Sequence, residues 1–218
     1  MTEKEYLMQV YQIDRQINSK LEQVMALKEL ACITPIAASA TAGPVFPKNL
    51  LWNITDIHYY LVGAAIGYDD EVAAASLNWW RPFGPGSNNL NPNTRTYDQT
   101  DSAIDYYRYF DAESAVLAYT NFVRNTSSGK ILVEPTVSNW SFGRIYLNGA
   151  TIRDPDSAAN AGMSVFHFTQ GVIGHEQGHV FALAHNNTNP HTLMCQTAYG
   201  RDVYLVQVPD NDAFNLKH

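Results

Sequence analysis

Apolar residues recur at three- and four-residue steps near the start of the chain: Val10, Ile13, Ile17, Leu21 and Val24, with Glu, Lys and Gln between them. That period lays one apolar stripe along a helix. Residues 3 to about 30 are therefore expected to form an amphipathic helix, able to act as a short coiled coil. Residues 31–47, ACITPIAASATAGPVFP, are uncharged, small and Pro-containing, which predicts a linker. From Leu50 the pattern changes. Ile57–Val62 is dense in Tyr, Ile and Val and predicts a strand. Asp69, Asp70 and Glu71 suit a helix start; Val72, Ala75 and Trp79 then share one face, and Pro82 stops the helix. Further strands are expected at Ile104–Phe110, Ala115–Val123, Arg144–Leu147 and Val203–Val208. A helix is expected from Ser164 to Leu183, and a short one after Pro209. Long loops, 82–101 and 148–162, separate these elements. The succession reads as one α+β domain over residues 48–218, preceded by a helical extension (1–30) and the linker (31–47).

Composition narrows the function. Of 218 residues, 45% are hydrophobic and 12% aromatic, enough for a packed core. No run approaches the ~20 apolar residues of a spanning helix, so no membrane span is expected. The 14 Lys+Arg are outnumbered by 21 Asp+Glu and form no basic cluster. That argues against nucleic acid as a partner of the main domain. Two cysteines, Cys32 and Cys195, are too few for a disulfide scaffold.

One stretch carries chemistry: His175-Glu176-Gln177-Gly178-His179, with His185 six residues further on. Two histidines four apart stack on one helix face, close enough to reach one metal ion. Glu176 can face the same cleft as a general base beside metal-bound water. His185 can join only if the helix ends and the chain turns back. Three neutral nitrogens then leave a fourth position for water, whose pKa zinc lowers to about 7. The bland alternative is a set of helix-surface histidines; the third histidine makes it the weaker one. Glu176 is the last Glu in the chain, so no downstream Glu can be a ligand. Asp202 remains a possible ligand, with His185 the better candidate.

These residues resemble the metzincin zinc peptidases, and among them the matrixins, whose pattern is His-Glu-x-x-His-x-x-Gly-x-x-His followed by a Met-turn. His175, Glu176, His179 and His185 match the pattern, and Met194 falls where the Met-turn belongs. The resemblance implies that the Met194 thioether floors the zinc ligands. Ala182 departs from it, standing at the family's Gly, where Ala at positive φ costs roughly 1 kcal/mol. The resemblance extends more loosely over residues 50–218. Trp52–Val62 looks like the first strand, the helix bearing Trp79 and Trp80 like the first long helix, and Ala115–Asn121 like the edge strand that binds extended peptide. Gly143–Asn148 looks like the strand after it, and Pro209-Asp210-Asn211-Asp212 like the start of the last helix.

The resemblance implies a twisted, mixed, mostly parallel sheet with one antiparallel edge strand and a zinc-binding helix beneath the cleft. It implies a zinc cofactor, a protein or peptide substrate, a monomer and an extracellular setting. Leu117, Ala118 and Tyr119 would bind substrate by β-augmentation. Tyr199 would line the specificity pocket or donate to the oxyanion, although relatives carry their Tyr four rather than five residues after the Met. The function expected is a zinc endopeptidase with Glu176 as general base. The alternative is a metzincin-derived module that holds metal or peptide without cleaving, against which an intact Glu176 argues.

Weaker signals complete the reading. Asp98, Asp101, Asp154 and Asp156 lie in loops and could hold structural Ca2+, though no loop has an EF-hand spacing. His58, His167 and His191 read as ordinary histidines. Some matrixins are kept latent by a cysteine ahead of the domain, but Cys32 lacks the Pro-Arg-Cys-Gly signature. Ala38-Ser39-Ala40-Thr41-Ala42 looks like a signal-peptidase site, yet a charged helix lies upstream instead of a normal signal peptide. The run EYLMQVYQIDRQINSKLEQV resembles the start of small helical phage-encoded proteins and holds no catalytic motif.

Overall fold

The computed structural model describes residues 42–82, 87–91 and 93–218. The helix expected over residues 3–30, Cys32 and the linker up to residue 41 lie outside the described residues.

The described chain is α+β. Six strands form one sheet: β1 (His58–Leu61), β2 (Thr94–Arg95), β3 (Ile104–Tyr109), β4 (Ala118–Thr126), β5 (Gly129–Val133) and β6 (Phe142–Asn148). Four α-helices accompany them: α1 (Asp69–Trp80), α2 (Pro155–Asn160), α3 (Val165–Val180) and α4 (Val208–Lys217). The strand order is β2-β1-β3-β6-β4-β5. The β1/β2, β1/β3 and β3/β6 pairs are parallel; β6/β4 and β4/β5 are antiparallel. Among the described residues, no helix is long and apolar enough to cross a membrane.

The mixed sheet with a single antiparallel strand, β4, is as expected, but β4 is not the edge: a strand that the sequence reading missed lies outside it. The missing strand is β5, joined to β4 by the two-residue turn Ser127–Ser128 between the paired Thr126 and Gly129. Its residues are almost all exposed, so it lacks the apolar alternation that marks a half-buried strand. The strand expected at Val203–Val208 is absent. Residues 203–207 run irregularly and α4 begins at Val208, with its Pro in the first turn. The expected strand at Ala115–Val123 begins three residues later, at Ala118. The loops 82–101 and 148–162 contain the short β2 and α2.

The core lies between the sheet and the pair α1 and α3. Trp79, Trp140, Tyr106, Phe181 and Phe214 are fully buried in it. Their polar atoms are put to use: the Trp79 indole N–H donates to Gly174 O at 2.9 Å, tying α1 to α3. Gln177 Nε2 donates to Ser76 Oγ and Tyr106 Oη, linking α3 to α1 and β3. The last residues of the segment read as a linker pack onto this domain. Gly43 N donates to Pro209 O, Phe46 N to Ala182 O, and Ala184 N to Pro44 O.

Candidate metal centre

Helix α3 starts at Ser164, whose side chain caps His167 N, and stops abruptly after Val180. Leu183 N bonds back to Gly178 O and Ala182 N to His179 O. This is the double closure of a Schellman motif, which needs a left-handed residue in the turn. Ala182 supplies it with φ 71°, the one non-glycine at positive φ among the described residues. The expected departure at Ala182 is thus a residue in a glycine's conformation, not a different turn. The remaining end carbonyls are also satisfied. Val180 O accepts from the Trp140 indole N–H, and Phe181 O from His218 Nε2. Stopping the helix here turns the chain back and returns His185 to the face of His175 and His179.

The three imidazoles converge, with one ligand nitrogen from each lying within 4.8 Å of the others. His175 Nδ1 lies 2.8 Å from Leu193 O, and His179 Nδ1 lies 2.8 Å from Leu183 O. A carbonyl only accepts, so Nδ1 carries the proton in both rings and each Nε2 keeps its lone pair. His179 Nε2 and His185 Nε2 are 3.0 Å apart. Two nitrogens on one tetrahedral zinc at ~2.0–2.1 Å would be about 3.3 Å apart, so the pair is spaced nearly as metal ligands are. Burial keeps His175 well below the ordinary imidazole pKa and holds His179 down to about 4. Desolvation and the adjacent His179 bring His185 to about 4. Neutral imidazoles are the form that binds metal. The donor set fits Zn2+.

Glu176 sits beside the cluster and is buried; burial raises its carboxyl pKa to about 7. The Thr120 hydroxyl on β4 donates to its Oε2 at 2.7 Å. Sequence reasoning missed Thr120, 56 residues away, because nothing local marks it. Met194 is buried against α3: a Cβ on Gly178 would stand 2.3 Å from its Sδ. The Met194 segment is fixed by Asp210 of α4, whose carboxylate accepts from Leu193 N and Met194 N. Burial lifts the Asp210 pKa to about 6. The Phe46 ring lies 5.8 Å from the His179 ring.

A cavity of about 260 Å3 opens beside His175 and Glu176, lined also by Leu117, Ala118, Val172 and Arg201. A second, of about 420 Å3, shares Leu117 and Arg201 with it. Leu117 and Ala118 are thus at the site. Tyr119 is on the other side of the strand, stacked on Tyr146. Tyr199 is largely exposed and lines neither cavity; its neighbours Thr197, Ala198 and Arg201 do. The β4 rim survives in part: β5 pairs only with Phe122–Thr126, so Ala118–Asn121 is bonded to β6 alone.

The other candidates lie elsewhere. Asp202 pairs with His191 at 2.7 Å, apart from the triplet. His58 contacts Thr94 and Asp56, and His167 stacks on Tyr204. Asp98 caps the turn at Gln99–Asp101, and Asp154 caps α2. Among the described residues, the histidine triplet is the one group of three or more such side chains placed to hold a metal. Cys195 is a buried free thiol.

No family model and no curated protein matches the chain. Among solved structures it is similar to a chain of "GM1 bound form of the ECX AB5 holotoxin". The identity is 15%, the match covers 81% of this chain and 86% of that one, and the TM-score is 0.47. That is too distant to carry function.

Proposed function

We propose that the chain is a zinc-dependent endopeptidase of the metzincin type, matrixin-like, acting on protein or peptide as a secreted monomer. The observation that carries this reading is the convergence of His175, His179 and His185, two with their Nε2 lone pairs fixed inward, beside the buried carboxylate of Glu176. His175, His179 and His185 would hold the ion. Zinc supplies a Lewis acid that acidifies a water and polarises a carbonyl. Glu176 takes the proton of the attacking water and passes it to the leaving amine. Thr120 holds that carboxylate in place through its hydroxyl. The open rim Ala118–Asn121 offers backbone groups to an extended peptide, which brings the scissile bond alongside Glu176.

The test is metal analysis joined to cleavage of a generic protein such as casein. Wild type should carry one zinc per chain and lose cleavage with a chelator. Glu176→Ala should keep zinc and lose turnover, because Glu176 is a base and not a ligand. His185→Ala should lose both zinc and cleavage. Zinc binding without any cleavage by wild type would replace this reading with the non-catalytic metal-binding module. Full occupancy and activity in His185→Ala would remove the third-ligand assignment.

A further inference from the structure

The cavity beside the metal centre contains a cation with no counterion. Arg201 is 5% exposed, and its NH1 donates to Leu193 O at 3.3 Å. That bond uses one of the five guanidinium N–H groups. Among the described residues, Arg201 forms no salt bridge and no other hydrogen bond. Yet none of its nitrogens is a sealed, unpartnered atom. The free N–H groups are therefore reached from the cavities, both of which Arg201 lines.

The nearby carboxylates do not neutralise it by contact. Asp210 spends both oxygens on the backbone N–H groups of Leu193, Met194 and Gln207. Glu176 is bonded to Thr120. Burial lowers the Arg201 pKa to about 10, so it remains a cation at neutral pH. A buried charge without a partner is unfavourable, and a planar guanidinium matches a carboxylate in two parallel bonds. Leu117 and Val172 give apolar wall to the cavity that Glu176 and Arg201 also line. Such walls suit the methylene stem of an acidic side chain.

We propose that this cavity is a carboxylate pocket, in which Arg201 selects a substrate with an acidic group next to the bond that is cut. The proposal rests on the peptidase reading for what the carboxylate belongs to, but binding can be tested without cleavage. The carboxylate comes from an internal Asp or Glu side chain or from a chain-terminal carboxyl.

Zinc-loaded full-length Glu176→Ala protein is titrated with short peptides that differ only by Glu or Gln at one position, scanned along the sequence. At one position the Glu peptide should bind about tenfold tighter or more. A companion series with free or amidated C-termini separates the two sources: a loss on amidation assigns the pocket to a terminal carboxyl. Adding Arg201→Met should bring the Glu/Gln ratio to about one, and Arg201→Lys should keep part of the preference. Melting temperature and zinc content verify that each variant is folded. If Arg201→Met fails to fold, the peptide pairs on the unsubstituted pocket still decide. Equal binding across all Glu/Gln pairs and both termini overturns the proposal, as does a preference that survives Arg201→Met. Absence of casein cleavage by wild type would sink the peptidase reading while the binding series still judged the pocket.

Discussion

At Ala182 one residue's backbone decides whether the third ligand reaches the site. Its φ of 71° is left-handed, which for an L-residue costs roughly 1–2 kcal/mol. Ala182→Gly removes that strain. It also deletes a fully buried methyl, worth about 0.8 kcal/mol, and adds unfolded-state entropy. These terms nearly offset, so the glycine variant should differ from wild type by less than about 1 kcal/mol, with zinc content unchanged. Ala182→Val has no such offset. A β-branched side chain at positive φ in a packed site should lower stability by about 1–3 kcal/mol and release zinc, because the distorted turn no longer presents His185. Thermal unfolding and metal analysis check both. A valine variant that melts with wild type and holds its zinc would mean that the turn does not need the left-handed conformation.

Among the elements, α3 approaches its neighbours closely through glycines, and Gly178 is the tightest point. An added Cβ would stand 2.3 Å from Met194 Sδ and 2.9 Å from Trp79 Cζ2. The Met side chain can move, but the Trp79 ring is fully buried and tied to Gly174 O. Gly178→Ala gains up to ~1 kcal/mol in helix propensity, but overpacking should outweigh it, for a net loss of about 1–2 kcal/mol. Denaturant unfolding reads this directly; a stabilised variant would show that Met194 packs loosely beneath the helix. This close packing also explains what was legible in the sequence. Spacings within one helix turn identified His175, Glu176 and His179, and the motif register identified His185 and the special position Ala182. The strands β1, β3, β4 and β6 followed from their composition, and α1 from its shared apolar face. The exposed β5, Gly-Lys-Ile-Leu-Val, shows no alternation that would mark it. Val203–Val206 has strand composition, yet the chain there lies against α3, with Tyr204 Cα 3.0 Å from the Cβ position of Gly171. Thr120, Arg201 and Asp210 reach the site through tertiary contacts that no local spacing encodes.

For the domain as a whole, the segment just before Lys48 acts as a strap across the metal-site end. Its backbone bonds reach α4 through Pro209 and the His185 turn through Ala182 and Ala184. The Phe46 ring meets Phe122, Trp140 and His179. The linker composition of residues 42–47 therefore conceals a structural role: small residues and Pro lie against a domain surface as readily as they form a solvated loop. Three backbone bonds at about 1 kcal/mol each and the partial burial of Phe46 at about 1 kcal/mol give roughly 4 kcal/mol. That is a large share of a typical domain stability of about 5–15 kcal/mol. A chain starting at Ala40 should unfold cooperatively and hold zinc. A chain starting at Lys48 should melt well below it and lose zinc more readily to a competing chelator, because the strap grips the turn that carries His185. Phe46→Ala in the longer chain should fall between the two. Equal melting temperatures and equal zinc retention for the two truncations would show that the strap rests on the domain without supporting the site.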